Sequence, residues 1–278
     1  MMKKRILKIS AFTLALVLIL GVCWFANGLV GNPISKMVAT NAAEKHLEKN
    51  YGGTDFEIER ISFSFKDGYY HAFITSPSSA DSSFNLMIDM WGKLHIDTYK
   101  DRVLARWNTA DRIGRDYRSK VDAVLNSTAF HYAENIGYGD IEFIPREHKN
   151  DANVPSYAII TDDLVLDALY DANELGARAG KLTIYIDDST VSVERLAEIL
   201  LDIRRIFDSA GVRFYAIDCV LQHPKTENGR EEARTEVMDF LYADIYEEGM
   251  SERVKASDEA AKAYYAEQNA EKLKEMIK

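Results

Sequence analysis

The chain has almost no cysteine. Two thiols, Cys23 and Cys219, stand in 278 residues. One lies in an N-terminal apolar run and the other in a strand-like run, so they are not expected to pair. A scaffold held by disulfides is thereby excluded, and Cys219 reads as a buried structural thiol. The usual catalytic signatures are missing as well. There is no HExxH, which removes the commonest zinc-protease arrangement. There is no GxSxG or SxxK, which removes the commonest serine-nucleophile arrangements. The six histidines, His46, His71, His95, His131, His148 and His223, share no helix at a spacing of four. His71 and His95 fall on strands of one expected sheet and read as polar positions on its solvated face. Gly176 and Gly180 bracket three residues where a phosphate loop needs four, and they precede a strand instead of following one. They read as a helix stop.

Acidic residues are also missing, but only from the first 43 positions. Lys3, Lys4, Arg5 and Lys8 lead into residues 9–25, where only Ser10 and Thr13 carry hydroxyls. With its flanks the segment reaches about 20 residues, enough to cross roughly 30 Å of hydrocarbon as a helix. Ala26-Asn27-Gly28 offers a small-x-small cleavage site. The run is nevertheless longer than the roughly 7–15 apolar residues of a leader, which favours an anchor that stays. Val22 is too large a neighbour for lipid attachment at Cys23. Basic flanks remain cytoplasmic. The expectation is therefore a signal anchor: a single-pass protein of the cell membrane, with its N-terminus cytoplasmic and its C-terminal region outside. The lipid bilayer would be its partner through that helix, and a membrane or envelope protein a further candidate.

The net charge is −10, and the part beyond the leading bases is more acidic still. Such a surface repels polyanions, so nucleic acid is not expected as a partner. A local exception lies in residues 100–122, where seven Lys and Arg stand against four Asp. It reads as a solvated face with local pairs.

Periodicity divides the remainder. Asn32-Pro33 starts a helix that runs to about residue 50 and stops at Tyr51-Gly52-Gly53. Alternating runs follow. They slip phase at Glu59-Arg60, which reads as a β-bulge, and they turn at Lys66-Asp67-Gly68 and at Trp91-Gly92. The polar stretch "SPSSADSS" reads as the loop between two hairpins. One continuous helix is expected over 101–126. Beyond it lie a short strand "DIEFIP", a helix over 161–180, a strand "KLTIYI", a helix over 192–208 and a strand "VRFYAIDCVL". This spacing calls for a parallel crossover. Two final helices are expected over 230–246 and 251–277. The fold class is α+β: an N-terminal transmembrane helix, a helix with a four-stranded antiparallel meander in a cystatin-like arrangement, and a smaller α/β unit. The corresponding segments are 1–31, 32–127, 128–250 and a polar C-terminal helix 251–278.

"GNPISK" after the anchor, the helix ending in "YGG", the hairpins closing on "GKLHIDTY", and "LTIYID…VRFYAIDCVL" together resemble the YfjL-like family. The resemblance covers most of the chain. It implies a membrane protein of Bacillus relatives and other Gram-positive bacteria, with this two-part layout. It brings no assigned activity and no catalytic residue.

Asp187 and Asp188 are the most suggestive pair of side chains. They stand where a strand gives way to a helix, the end of an open α/β sheet at which ligands bind. Asp218 on the next strand could join them, and three carboxylates can hold a hard cation such as Mg²⁺. Acids near a helix start also have a plain electrostatic role. The functional expectation is a non-catalytic binding or interaction module without a cofactor. The alternative is a metal-assisted enzyme using those three carboxylates.

Overall fold

The computed structural model describes residues 2–152, 154–226 and 233–276. The chain divides into two compact units, one formed by Met1–Thr109 with Val165–Asp167, the other by Ala110–Leu164 with Ala168–Lys278.

The first unit opens with helix α1 (Met2–Val30). The side chains of its basic flank and of Cys23 lie outside the described residues. Among the described residues, no helix is long and apolar enough to cross a membrane. The expected transmembrane helix, signal anchor and single-pass cell-membrane location are corrected on this ground.

Helix α2 (Pro33–Tyr51) begins where the sequence places it. Asn32 Oδ1 accepts a hydrogen bond from the Ser35 N–H at 2.8 Å, and Pro33 occupies a position that needs no N–H. The fully buried Ala39 and Ala43 let α2 lie close to the sheet. Strands β1 (Glu57–Ser64), β2 (Tyr69–Ser76), β3 (Ser79–Ile88) and β4 (Leu94–Asp97) form an antiparallel meander in that spatial order. The expected slip appears as a register shift between Ile58 and Arg60. Tyr70, Ala72 and Ile74 pair in register with Ile88, Leu86 and Phe84, and all six are buried. This is the period-2 inner face that a one-sided sheet requires.

Two expectations fail here for identifiable reasons. Six of the eight residues of the expected loop "SPSSADSS" are strand, because Asp81 finds partners indoors. It is 1 % exposed, and its carboxylate accepts from Thr109 Oγ1 at 2.8 Å and from the Asp167 N–H at 3.0 Å. The single helix over 101–126 is broken. A π-type turn at Lys100–Leu104 gives way to Arg106 at φ +61°, where the Arg106 guanidinium donates to the Val103 carbonyl at 2.8 Å. Helix α3 (Trp107–Leu125) starts only afterwards.

The second unit is the larger, not the smaller. Beyond α3 it contains β5 (Ala133–Ile141), β6 (Phe143–Ile144), β7 (Ile159–Ile160), α4 (Ala172–Ala179), β8 (Gly180–Asp187), α5 (Val193–Ser209), β9 (Ala216–Gln222), β10 (Arg234–Leu241) and α6 (Met250–Met276). Its main sheet has the order β10-β9-β8-β5. β8 and β9 are parallel, joined through α5 as the spacing demands. The outer pairs are antiparallel. Leu182, Ile184 and Ile186 align with Ile217, Cys219 and Leu221, and all are buried, as are Leu196, Ile199, Leu200 and Ile203 of α5. Ser192 caps α5 by accepting from the Arg195 N–H at 3.1 Å.

The helix expected over 161–180 shrinks to a short 3-10 turn at Thr161–Asp163 and α4. Asp171 is the true cap, accepting from the Asn173 N–H at 2.8 Å. The helix expected over 230–246 starts outside the described residues, and its remainder is the edge strand β10. Thr235, Val237 and Phe240 turn inward there.

Candidate functional site

Asp187, Asp188 and Asp218 do not come together as a ligand set. Asp187 pairs with Gln222 in the parallel ladder, while Asp218 pairs with Thr183. Four positions of strand separate them, about 13 Å at 3.3 Å per residue. Asp188 is held by its own loop and helix. Its carboxylate accepts from the Thr190 N–H at 2.9 Å and from Arg195 Nε at 3.0 Å. The Thr190 bond and the Arg195 charge hold it below the usual carboxylate range. Among the described residues, no three His, Cys, Asp or Glu side chains form a group that could hold a metal ion.

Asp218 belongs instead to a charged cluster on the outer face of the second sheet. Lys181 Nζ lies 2.9 Å from Asp218 Oδ2 and 2.7 Å from Asp239 Oδ1. Tyr157 donates its hydroxyl to Asp239 at 2.9 Å. Asp239 sits at φ +46°, within the irregular stretch between Val237 and Phe240, and its N–H donates to Asp218 Oδ1 at 2.7 Å. Burial alone would lower the Lys181 ammonium, but its bonds to Asp239 and Asp218 raise it on balance. Burial pushes the nearby Glu142 carboxyl upward. Lysine, aspartates and tyrosine are engaged with one another here, and no nucleophile is set free. Cys219 is equally inert: it is fully buried and its thiol is pushed up to about 12 by burial.

The first-unit histidines are occupied in the same way. His71 meets Asp67 at 3.0 Å and the Asn85 amide at 2.8 Å. His95 meets Asp89 at 3.1 Å. Their strands, β2 and β4, are separated by β3, so the two do not form a pair. His46 Nε2 lies 2.8 Å from Asp97 Oδ2, an oxygen that also accepts from Tyr51 at 2.7 Å. Asn50 donates to His46 Nδ1 at 3.0 Å, which leaves the ring proton on Nε2, facing the carboxylate. Burial, followed by Asp97, drives the Tyr51 phenol well above its usual range. This network ties α2 to β4.

Beside that tie lies an open groove of about 700 Å³. Val38, Ala42 and Leu94 supply apolar surface, Lys45 and Lys49 stand one helical turn apart, and Trp91 forms a wall. No Asp or Glu lines it. Trp91 is 82 % exposed. Its position is imposed by the turn: Asp89 Oδ1 accepts from the N–H groups of Trp91 and Lys93, each at 2.9 Å, and Gly92 takes φ +86°. Gly92 packs so closely on α2 that an added Cβ would stand 2.9 Å from Val38 Cγ1. The sequence shows the turn. It does not show that the tryptophan faces a helix more than 40 residues earlier in the chain.

Comparison with known proteins gives the chain its relations. Residues 4–98 match the YfjL-like N-terminal domain, and residues 116–255 match the YfjL-like C-terminal domain. The chain belongs to the YfjL-like family. No curated protein matches it. A crystal structure of a DUF5037 family protein from Ruminococcus gnavus ATCC 29149 is similar at 16 % identity. The likeness covers 66 % of this chain and 73 % of that one, with a TM-score of 0.20, which is too low to carry an argument.

Proposed function

We propose that this member of the YfjL-like family is a non-catalytic binding module, and that its binding site is the groove between α2 and the β3–β4 turn. The observation that carries this reading is Trp91, a large aromatic side chain left 82 % exposed on a rigid turn beside a groove of about 700 Å³. Exposed aromatics held in place by their backbone offer contact area at little entropic cost, which is how binding surfaces use them. The groups that would serve catalysis are instead engaged with one another: Lys181 with Asp218 and Asp239, His46 with Asp97, Asp188 with Arg195. The alternative of a metal-assisted enzyme gains no support from the placement of Asp187, Asp188 and Asp218.

The test uses the full chain labelled with 5-fluorotryptophan, which reports separately on Trp24, Trp91 and Trp107 by ¹⁹F NMR. Short peptides, oligosaccharides and small anions are titrated in turn. A probe that moves the Trp91 resonance and leaves Trp107 in place is the expected result. If no probe moves Trp91 more than Trp107, the groove is not a binding site.

A further inference from the structure

We infer that the groove takes an acidic peptide in extended conformation, laid along the free edge of β4 with an apolar or aromatic side chain against Trp91. The inference rests on the groove being the binding site and names what occupies it.

Shape comes first. Gly92 abuts Val38 at one end, and His46 holds Asp97 at the other. Helix α2 and strand β4 therefore run side by side in the same direction. Residues 38–50 of α2 give the groove a length of about 18 Å at 1.5 Å per residue. That is the length of about five residues of extended chain at 3.4 Å each. An elongated trough of this kind suits a strand better than a compact small molecule.

Backbone chemistry comes second. β4 is the last strand of its sheet, so its outer side has no strand partner among the described residues. An edge of this kind pairs with an added strand, as in β-augmentation, where main-chain hydrogen bonds supply affinity and side-chain contacts supply choice.

Charge comes third. Lys45 and Lys49 are exposed, and neither has an ion-pair partner among the described residues. With no carboxylate in the lining, the rim is positive on a chain of net charge −10. Two lysines suit two or so carboxylates. They do not suit a nucleic acid, whose many phosphates the rest of this surface repels. Trp91, with Val38 and Leu94, then offers the apolar contact that fixes register.

The experiment titrates the full chain with a fluorescein-labelled pentapeptide, Glu-Glu-Phe-Glu-Glu, acetylated and amidated. Three comparators accompany it: the same peptide with Lys for Glu, the same peptide N-methylated at alternate backbone nitrogens, and inorganic phosphate. The acidic peptide should bind and move the Trp91 resonance. The Lys45→Glu/Lys49→Glu double variant, whose changes lie on an exposed helix face, should keep its melting temperature and bind at least tenfold more weakly. N-methylation should weaken binding by a similar factor, and millimolar phosphate should not displace the peptide. Equal binding of the lysine peptide, or of the N-methylated one, overturns the inference. So does self-association of the chain that the double variant abolishes while no peptide binds, since the occupant is then a second copy. If a saccharide or another probe moves Trp91 and the acidic peptide does not, the inference falls and the binding-module reading stands. If nothing moves Trp91, both fall.

Discussion

The two four-stranded sheets meet the same requirement in different ways. In the first unit the strands follow chain order, β1-β2-β3-β4. One helix covers one face, and two lysines are left beside an open groove. In the second the order is β10-β9-β8-β5, α5 buries the inner face, and the charges of the outer face are drawn together around Lys181. The contrast shows that charge on a sheet face is not by itself a sign of function. What matters is whether each charge already has a partner. The second unit's charged cluster is richer in titratable groups, yet it is closed on itself. The first unit's groove is poorer and remains open.

The largest test of this contrast strikes the second unit's packing. Val121 is fully buried and sits so close to Gly139 of β5 that an added Cβ there would meet Val121 Cγ2 at 2.7 Å. Val121→Asp places an unpaired carboxylate in that contact. It should destabilise the second unit by about 3–5 kcal/mol. Hydrogen exchange reads the effect locally: β8 and β9 should lose protection while β2 and β3 keep theirs. Equal loss in both sheets would mean that they unfold as one cooperative body.

A smaller steric test lies at Gly176 of α4. A Cβ there would meet Tyr117 Cε2 at 2.3 Å and the Arg213 carbonyl oxygen at 2.7 Å. The backbone oxygen cannot swing aside, and Tyr117 is held by its own bond to that same carbonyl at 2.9 Å. Gly176→Ala should cost about 1–3 kcal/mol through overpacking, measured by urea denaturation. A neutral result would show that α4 shifts freely on α3.

These two positions also show what the sequence could and could not disclose. Alternation in the meander is local, so the Ile58/Arg60 slip was legible. The crossover β8-α5-β9 was legible because its spacing and its apolar runs agree. β10 was misread as helix because Glu, Arg, Met and Leu favour helices. Its pairing with β9 outweighs that preference, and pairing partners are invisible to propensity. The break at Arg106 was hidden because a positive φ is expected of glycine, not of an arginine that fastens itself to Val103. Of the proposed site, only the Trp91-Gly92 turn was legible. The groove exists because that turn meets Val38 and Ala42, a contact between distant segments that no local pattern records.

The charged cluster offers a test in pH. Lys181→Met leaves Asp218, Asp239 and Glu142 near one another without their cation. At neutral pH this should cost about 1–3 kcal/mol, less than a fully buried pair because Asp239 is half exposed. The sign with pH follows from the shifts. Glu142 is raised in the folded state, so its ionisation opposes folding as pH rises through that raised value, and protonation relieves the opposition. Lys181 is also raised. Its stabilisation is fully present below the ordinary lysine value and is lost only as pH climbs past the raised one. The gap between wild type and variant should therefore be widest near neutrality. It should narrow toward about pH 4 and again at strongly alkaline pH. A gap that does not change with pH would mean that Lys181 acts through its aliphatic stem alone.

The smallest expected effect concerns two adjacent residues in the β3–β4 turn. Gly92→Ala forces an L side chain to φ +86° and drives a Cβ to 2.9 Å from Val38 Cγ1. A loss of about 1–2 kcal/mol is expected. Trp91→Ala should change stability by no more than about 0.5 kcal/mol, because the indole is 82 % exposed and Asp89 holds the turn through backbone N–H groups that alanine retains. Thermal denaturation of both variants against wild type reads the difference. If Trp91→Ala proves as damaging as Gly92→Ala, the indole is a structural prop for α2, and its exposure carries no functional meaning. If the fold does not notice its loss, a large apolar side chain stands in water on a rigid turn without contributing to stability. The groove beside it is then the remaining physical account of why a tryptophan, and not a small polar residue, occupies the turn.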